Sequence, residues 1–251
     1  MNRSLAKMTW VETKLFLREP VTVIFTLALP LMILYVLGGV FGNEADTGGG
    51  LVVYGGYGPT NFYTPAYVAL AVAGIALIGV PTHMVEYRES GVLRRLRASA
   101  VKRGLFLSSQ ALVSLLVATV GAGLLLAAAF MFTAVEAPRS AGLFVGAYAL
   151  GAMAIAAIGL MLGTVLPTAR AAQSVGLLLW FMFMFLSGAG PPPEVLPDAL
   201  RAIGDWMPLT PVVQLLQGPW LSGDWPLSSS LITAGMTLVS GAIAWAAFRW
   251  E

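Results

Sequence analysis

Most of the residues that could do chemistry in this chain lie in one short stretch. Residues 86–99, EYRESGVLRRLRAS, contain four arginines and two glutamates, whereas tens of residues on either side have almost no charge. On a helical wheel the arginines surround one apolar face, formed by Val92, Leu93, Leu96 and Ala100. An apolar face on a charged helix has to be covered, and another protein could dock there and meet the arginines around it.

No catalytic or metal-binding constellation accompanies this stretch. The single histidine, His83, is either an ordinary polar residue at the membrane boundary or a metal or proton site. The chain has no cysteine, which excludes disulfides and thiolate metal sites. It also has no GxxxxGK[ST] phosphate loop, so we expect no ATP hydrolysis by that route. The one acidic cluster is typical of a solvated loop and comprises Glu194, Asp198, Asp205 and Asp224.

The elements that position these residues are predicted to be membrane-spanning helices. Hydrophobic residues make up 58% of the 251 residues and charged residues 10%, against about 25% charged in soluble domains. Six apolar runs contain no Asp, Glu, Lys or Arg, and each is long enough to cross a bilayer, which takes roughly 20 residues. They are residues 21–41, 62–82, 107–133, 142–165, 172–188 and 227–248.

The basic residues predict the orientation of these spans. With six spans, twelve of the fourteen lysines and arginines fall on one side, and only Arg139 and Arg201 fall on the other. By the positive-inside rule both termini and residues 83–106 lie in the cytoplasm, and the protein lies in the cell membrane. Any inner loop is expected to be basic, so the arginines of residues 86–99 are either a docking surface or only a topology signal.

Two segments outside the spans have amphipathic patterns. Residues 3–19 predict a helix in the cytoplasmic interface, so residues 1–20 form a region distinct from the membrane domain, 21–251. A soluble cap is the alternative. Residues 189–226 are interrupted by prolines and predict two short helices that enter the outer leaflet, with an ordinary surface loop as the alternative.

The fourth apolar run contains two GxxxG pairs, Gly142/Gly146 and Gly159/Gly163. Such pairs let helices approach closely. The pattern fits either static packing or an interface that moves.

The spans have no carboxylate, which bears on how any transport would be driven. An ion-coupled transporter generally needs a titratable or coordinating group near the midplane. A secondary transporter or channel without a partner remains the alternative, but the absence of such groups favours an energy source outside the membrane.

The charged stretch, continued as EYRESGVLRRLRASAVKRG, resembles the cytoplasmic loop of the type-2 family of ABC transporter permeases. In that loop a glutamate precedes the pattern G-T-L-x-R-L-R-x-S/T-P. Val92 stands where threonine is common and Ala100 where proline is common. The matching residues are Glu86, Gly91, Leu93, Arg95, Leu96, Arg97 and Ser99.

A second segment, LSGAGPPPEVLPDALRAIGDWMPLTPVVQLLQG, is similar to the family's segment after the fifth span. Gln217 stands where an arginine is frequent, which leaves that arginine without a counterpart. The resemblance covers essentially the whole chain and is closest to the daunorubicin-resistance permeases. The matching residues are Ser187, Gly188, Pro192, Leu196, Pro197, Pro208, Leu209 and Thr210.

The resemblance implies an all-α integral membrane protein with six transmembrane helices, which is not itself an enzyme. Two ATP-binding subunits would hold ATP and Mg²⁺, and a second permease copy or a homologue would complete a pore surrounded by membrane lipid, with no nucleic acid involved. The family exports amphipathic drugs, lipids and lipid-linked glycans.

The resemblance also implies two sets of site residues. The turn at Gly91 and a helix over residues 92–100 would couple the ATP-binding subunits to the spans, and spans one and five would line the path or the dimer interface. The coupling residues would be Glu86, Arg88, Glu89, Gly91, Val92, Leu93, Arg95, Leu96 and Arg97. The path or interface residues would be Trp180, Phe181, Phe183 and Met184.

Overall fold

The computed structural model describes residues 24–41 and 53–250. The predicted interfacial helix at residues 3–19 and the first three residues of the first predicted span lie outside these described residues. Those two predictions are therefore not tested by the fold.

All regular structure in the described residues is helical, and no strand occurs among them. Short turns lie between some of the helices: Val53–Gly56 and Pro193–Val195 are 3₁₀ turns, and Gly218–Ser222 is a π turn. The helices are α1, Leu29–Phe41, preceded by a π turn at Ile24–Ala28; α2, Pro59–Glu89; α3, Val92–Ala98; α4, Arg103–Phe132; α5, Ala141–Val165; α6, Ala169–Leu186; α7, Asp198–Asp205; α8, Leu209–Gln217; and α9, Leu227–Ala247.

Five of these helices are long and apolar enough to cross a membrane, namely α2, α4, α5, α6 and α9. They correspond to the second to sixth predicted spans, which are confirmed as long apolar helices. Helix α2 extends beyond the predicted end at residue 82, and α4 begins before the predicted start at residue 107. Because the described part of α1 starts within the first run, a total of six spans stays a prediction.

Helix α2 is the centre of the bundle. Every residue from Pro59 to Val85 is buried, and α2 packs against α1, α4, α5, α6 and α8. A helix that is hydrophobic all round is expected to be buried in this way. Its 31 residues span about 46 Å at 1.5 Å per residue, more than the hydrocarbon thickness of about 30 Å. The charged residues near Glu89 therefore extend beyond the apolar part of the bundle.

The middle of α2 contacts two glycines of neighbouring helices. Residues Ile75–Gly79 form a π-helical turn. A Cβ atom added to Gly159 of α5 or to Gly176 of α6 would lie under 3.0 Å from a backbone oxygen of this turn. The Gly159/Gly163 pair thus permits close packing, as its spacing predicts. At the other pair, Gly142 has open space around it, so that pair does not form a tight helix contact.

The segment between α6 and α9 forms two short helices, as predicted. Helix α8 is buried along one side and packs against α2, α5 and α9. Helix α7 packs against α6, and its outward side exposes Leu200, Ile203 and Trp206. An ordinary surface loop, the alternative, would not pack against the bundle in this way. The depth of the two helices in a membrane stays a prediction.

The loops gather at two ends of the bundle, in the alternation that the sequence predicts. We call the end of the bundle that carries residues 88–103 the basic end. There the ring centroids of Phe106, on α4, and Phe248, which follows α9, are 5.5 Å apart. At the opposite end, the loop before α5 joins the π turn after α8, because the amide of Arg139 donates to the Trp220 oxygen at 3.2 Å. The cytoplasmic assignment of the basic end stays a prediction.

Candidate functional site

The turn between α2 and α3 depends on Gly91. Its φ of 73° is in the left-handed region, where a glycine has no Cβ to clash. The amide of Gly91 donates to the Arg88 oxygen at 3.2 Å, and the amide of Ser90 donates to the Glu86 oxygen at 2.8 Å. The predicted sharp turn is therefore present. Helix α3 follows at once and ends at Ala98, two residues before the predicted end, and Ala100 then takes a φ of 55°.

The apolar side of α3 lies against this chain itself. Leu93 is only 2% exposed and belongs to the hydrophobic core, while Val92 and Leu96 are half-buried. The expectation that another protein covers this whole face is wrong at Leu93, because that side chain is buried in the chain's own hydrophobic core. What α3 presents outward is its arginines, Arg94, Arg95 and Arg97, all of them exposed.

Arg88 and Glu89, at the end of α2, bind the backbone of the turn between α5 and α6. The Arg88 guanidinium donates through Nη2 to the Leu166 oxygen and to the Pro167 oxygen, the latter at 3.1 Å. The Glu89 Oε1 atom accepts a hydrogen bond from the amide of Ala169 at 3.2 Å. The sequence places the two charges in the coupling stretch, but nothing in it points to residues 166–169 as their partners.

These contacts suit the electrostatics of the helix ends. The carbonyl groups at the end of α5 have partial negative charge and the amides at the start of α6 have partial positive charge. Arg88 meets the former and Glu89 the latter. The Thr168 hydroxyl accepts from the amide of Ala171 at 3.1 Å and caps α6.

Glu86, the first residue of the matched loop, lies near His83. Glu86 Oε2 is 3.8 Å from His83 Nδ1, one helical turn earlier on α2. Residues 24–41 and 53–250 contain no group of three or more His, Cys, Asp or Glu side chains that could hold a metal ion.

The four aromatic and methionine residues predicted for α6 do not share one surface. Trp180 is 0% exposed, and Phe183 and Met184 are buried, whereas Phe181 is 40% exposed. Phe181 lies on the outward side of α6 with Met182 and Phe185. The structure therefore places Phe181 on the outside of the bundle and the other three residues inside it.

An aromatic cavity of about 440 Å³ lies at the end of the bundle opposite the basic end, between α1, α2, α6 and the proline-rich turn after α6. Met184 is the one predicted path residue that lines it. The Tyr63 and Tyr67 rings stack with centroids 5.5 Å apart. Sequence reasoning missed the tyrosines, although their spacing of four residues on α2 is a recognisable signal. The cavity is lined by Ile33, Tyr54, Tyr63, Tyr67, Met184, Phe185, Ala189, Gly190, Pro191 and Pro192.

Comparison with protein families identifies the class to which this helical bundle and its basic loop belong. The model of the ABC-2 type transporter matches residues 3–219. A comparison with curated proteins gave no significant match. The chain belongs to the ABC-2 type transporter family and is a multi-pass membrane protein that acts as a permease subunit of an ABC-type transporter.

Proposed function

We propose that this chain is the membrane half of an exporter whose ATP is hydrolysed by separate subunits. Two ATP-binding subunits, with their ATP and Mg²⁺, dock at the basic end in the cytoplasm. Two permease copies, or this chain and a homologue, enclose the path in the cell membrane. The cargo is an amphipathic drug, a lipid or a lipid-linked glycan.

One observation supports this proposal above the others: α3 is a short, arginine-faced helix attached directly to the central helix. Only the Ser90–Gly91 turn separates α3 from α2. Because α2 is buried from Pro59 to Val85 and contacts five other helices, a motion of α3 that reaches α2 is passed to the bundle. Exposed guanidinium groups are suited to paired hydrogen bonds with acidic side chains on a docking protein.

The side chains that line the aromatic cavity support the proposed class of amphipathic cargo. It combines tyrosine rings, a methionine and apolar side chains, and Met and aromatic surfaces accept apolar groups of varied shape. The tyrosine hydroxyl groups could bind a polar part of the same molecule. The exposed side of α6 at Phe181 and Phe185 would face the second copy.

The proposal is tested by co-expressing the chain with candidate ATP-binding subunits of ABC transporters from the same genome. We expect the chain alone to hydrolyse no ATP and the complex to show vanadate-sensitive hydrolysis. The double variant Arg94→Glu/Arg95→Glu should lose the ATP-binding subunit during purification. The matched control is Arg170→Glu, which reverses an exposed charge on the first turn of α6.

Two results would contradict the proposal. If the double variant retains its partner and normal hydrolysis, the arginines of α3 are only a topology signal. If the chain transports in liposomes without ATP or a partner, it is a secondary transporter or channel.

A further inference from the structure

We infer that Arg88 and Glu89 are positioning residues that transmit motion of α3 to α6 through the turn between α5 and α6. This inference rests on the proposed function, because it supposes that an ATP-binding subunit moves α3. It adds a second route to the one along α2.

The two residues hold both sides of the same short turn. Arg88 donates to the carbonyl groups of Leu166 and Pro167, which follow α5, and Glu89 accepts from the amide of Ala169, which begins α6. The partners are backbone atoms, so most substitutions in the turn would leave these bonds in place; Ala169→Pro, which removes the N–H, is an exception. Changes at Arg88 and Glu89 remove the bonds directly.

The turn joins α5 to α6, and it lies beside the Ser90–Gly91 turn that leads into α3. Gly91, with its left-handed φ, is two residues from Glu89. Helix α3, which an ATP-binding subunit would contact, follows this glycine. The residues before the glycine are the end of α2, where Arg88 and Glu89 bind the turn between α5 and α6. Motion of α3 therefore reaches the end of α2 and the start of α6 at the same point.

Further along, α6 remains attached to α2. Gly176 packs against the Leu77 carbonyl group, and the Trp180 indole donates to the Leu70 oxygen. Helix α6 also packs against α2 along the part from Val80 to Glu89, and the Glu89 bond fixes the first residue of α6 to the end of α2. Loss of that bond weakens the attachment of the start of α6 to the end of α2 and should reduce how far α6 follows when α3 moves.

Motion of α6 would also move the side chains on its outward side. Phe181, Met182 and Phe185 are exposed on it. If a second permease copy packs there, a shift of α6 changes the contact between the two copies. The residues Arg88 and Glu89 then affect the response of the path to ATP and have no part in ATP hydrolysis itself.

The test uses the full chain with its ATP-binding subunit in lipid nanodiscs and measures a distance by spin labelling. The chain has no cysteine, so Leu112→Cys on α4 and Ser174→Cys on α6 give two labels at exposed positions. Dilution with unlabelled chain leaves one labelled copy in each transporter. The distance is measured without nucleotide and after trapping with Mg-ATP and vanadate.

We expect trapping to shift this distance in the otherwise unchanged chain. Arg88→Ala and Glu89→Ala, which remove the donor and the acceptor, should each reduce the shift to less than half while vanadate trapping persists. Arg170→Ala, which removes a charge beside the same turn, should leave the shift unchanged. Arg88→Lys retains a donor and should retain most of the shift, and Glu89→Ala keeps the test decisive if Arg88→Ala fails to fold.

Three results would overturn the inference. A full shift in both Ala variants would show that α6 follows without the two residues. No shift in the unchanged chain, with normal trapping, would show that α6 does not move and would leave the proposed function intact. Failure of any ATP-binding subunit to associate would refute the proposed function and this inference with it.

Discussion

The indole nitrogen of Trp180 donates a hydrogen bond to the backbone oxygen of Leu70 at 3.1 Å, and both residues are fully buried. This bond joins α6 to α2 across 110 residues of sequence. The Trp180 ring also packs edge-on against Phe25, which precedes α1, with centroids 4.9 Å apart. One side chain thus holds three segments together and fixes which side of α6 faces outward.

The change Trp180→Phe should destabilise the bundle because it removes this donor and leaves a gap in the core. Hydrogen bonds between membrane helices contribute about 1 kcal/mol, so we expect a loss of that order or slightly more. The measurement is the unfolding midpoint in detergent. Trp206→Phe is the control, since Trp206 is 86% exposed. Equal midpoints for the two variants would contradict the role given to the indole.

The changes Gly159→Ala and Gly176→Ala should each push α2 away from a neighbouring helix. The added methyl group would lie under 3.0 Å from a backbone oxygen of the π turn, and overpacking of this kind costs about 1–3 kcal/mol. Gly235→Ala on α9 is a matched helical control with open space around it. Thermal stability and monodispersity report the effect. Tolerance of both core variants would show that the close approach is not needed.

The changes Leu93→Asp and Arg94→Glu should separate folding from docking. Leu93 is buried in the chain's own core, so an aspartate there leaves an unpaired charge in the apolar interior and should reduce the folded yield severely. Arg94 is exposed, so its reversal should leave the fold intact and weaken capture of the ATP-binding subunit. Size-exclusion profiles and co-purification distinguish the two effects. A well-folded Leu93→Asp variant would contradict the burial of this face.

Single cysteines at Ser90 and Ser222 should label from opposite sides of the membrane. Both side chains are exposed, and they lie at opposite ends of the bundle. An impermeant thiol reagent added to intact cells should modify position 222 and spare position 90 until the cells are opened. Modification of position 90 from outside would contradict the orientation that the basic residues predict.

The sequence by itself determined the long helices, the turn at Gly91 and the distribution of loops between two ends. Charge-free runs of about 20 residues specify membrane helices because any ionised residue within them is costly. Basic residues in alternate loops then specify which loops share an end. A glycine followed by an amphipathic pattern was enough to predict the start of α3. Prolines in residues 189–226 divided that segment into the short helices α7 and α8.

Only the tertiary structure decided which side of each helix faces the interior. From Val175 onward helix α6 is apolar on all sides, and apolar side chains suit both lipid and a protein core, so its pattern did not distinguish buried Trp180 from exposed Phe181. The helical wheel found the apolar face of α3 but not that Leu93 is buried in the core of its own chain. The bonds from Arg88 and Glu89 reach about 80 residues along the chain to backbone atoms, which have no side-chain signature. Such partners are set by how the helices pack, and the local sequence does not encode them.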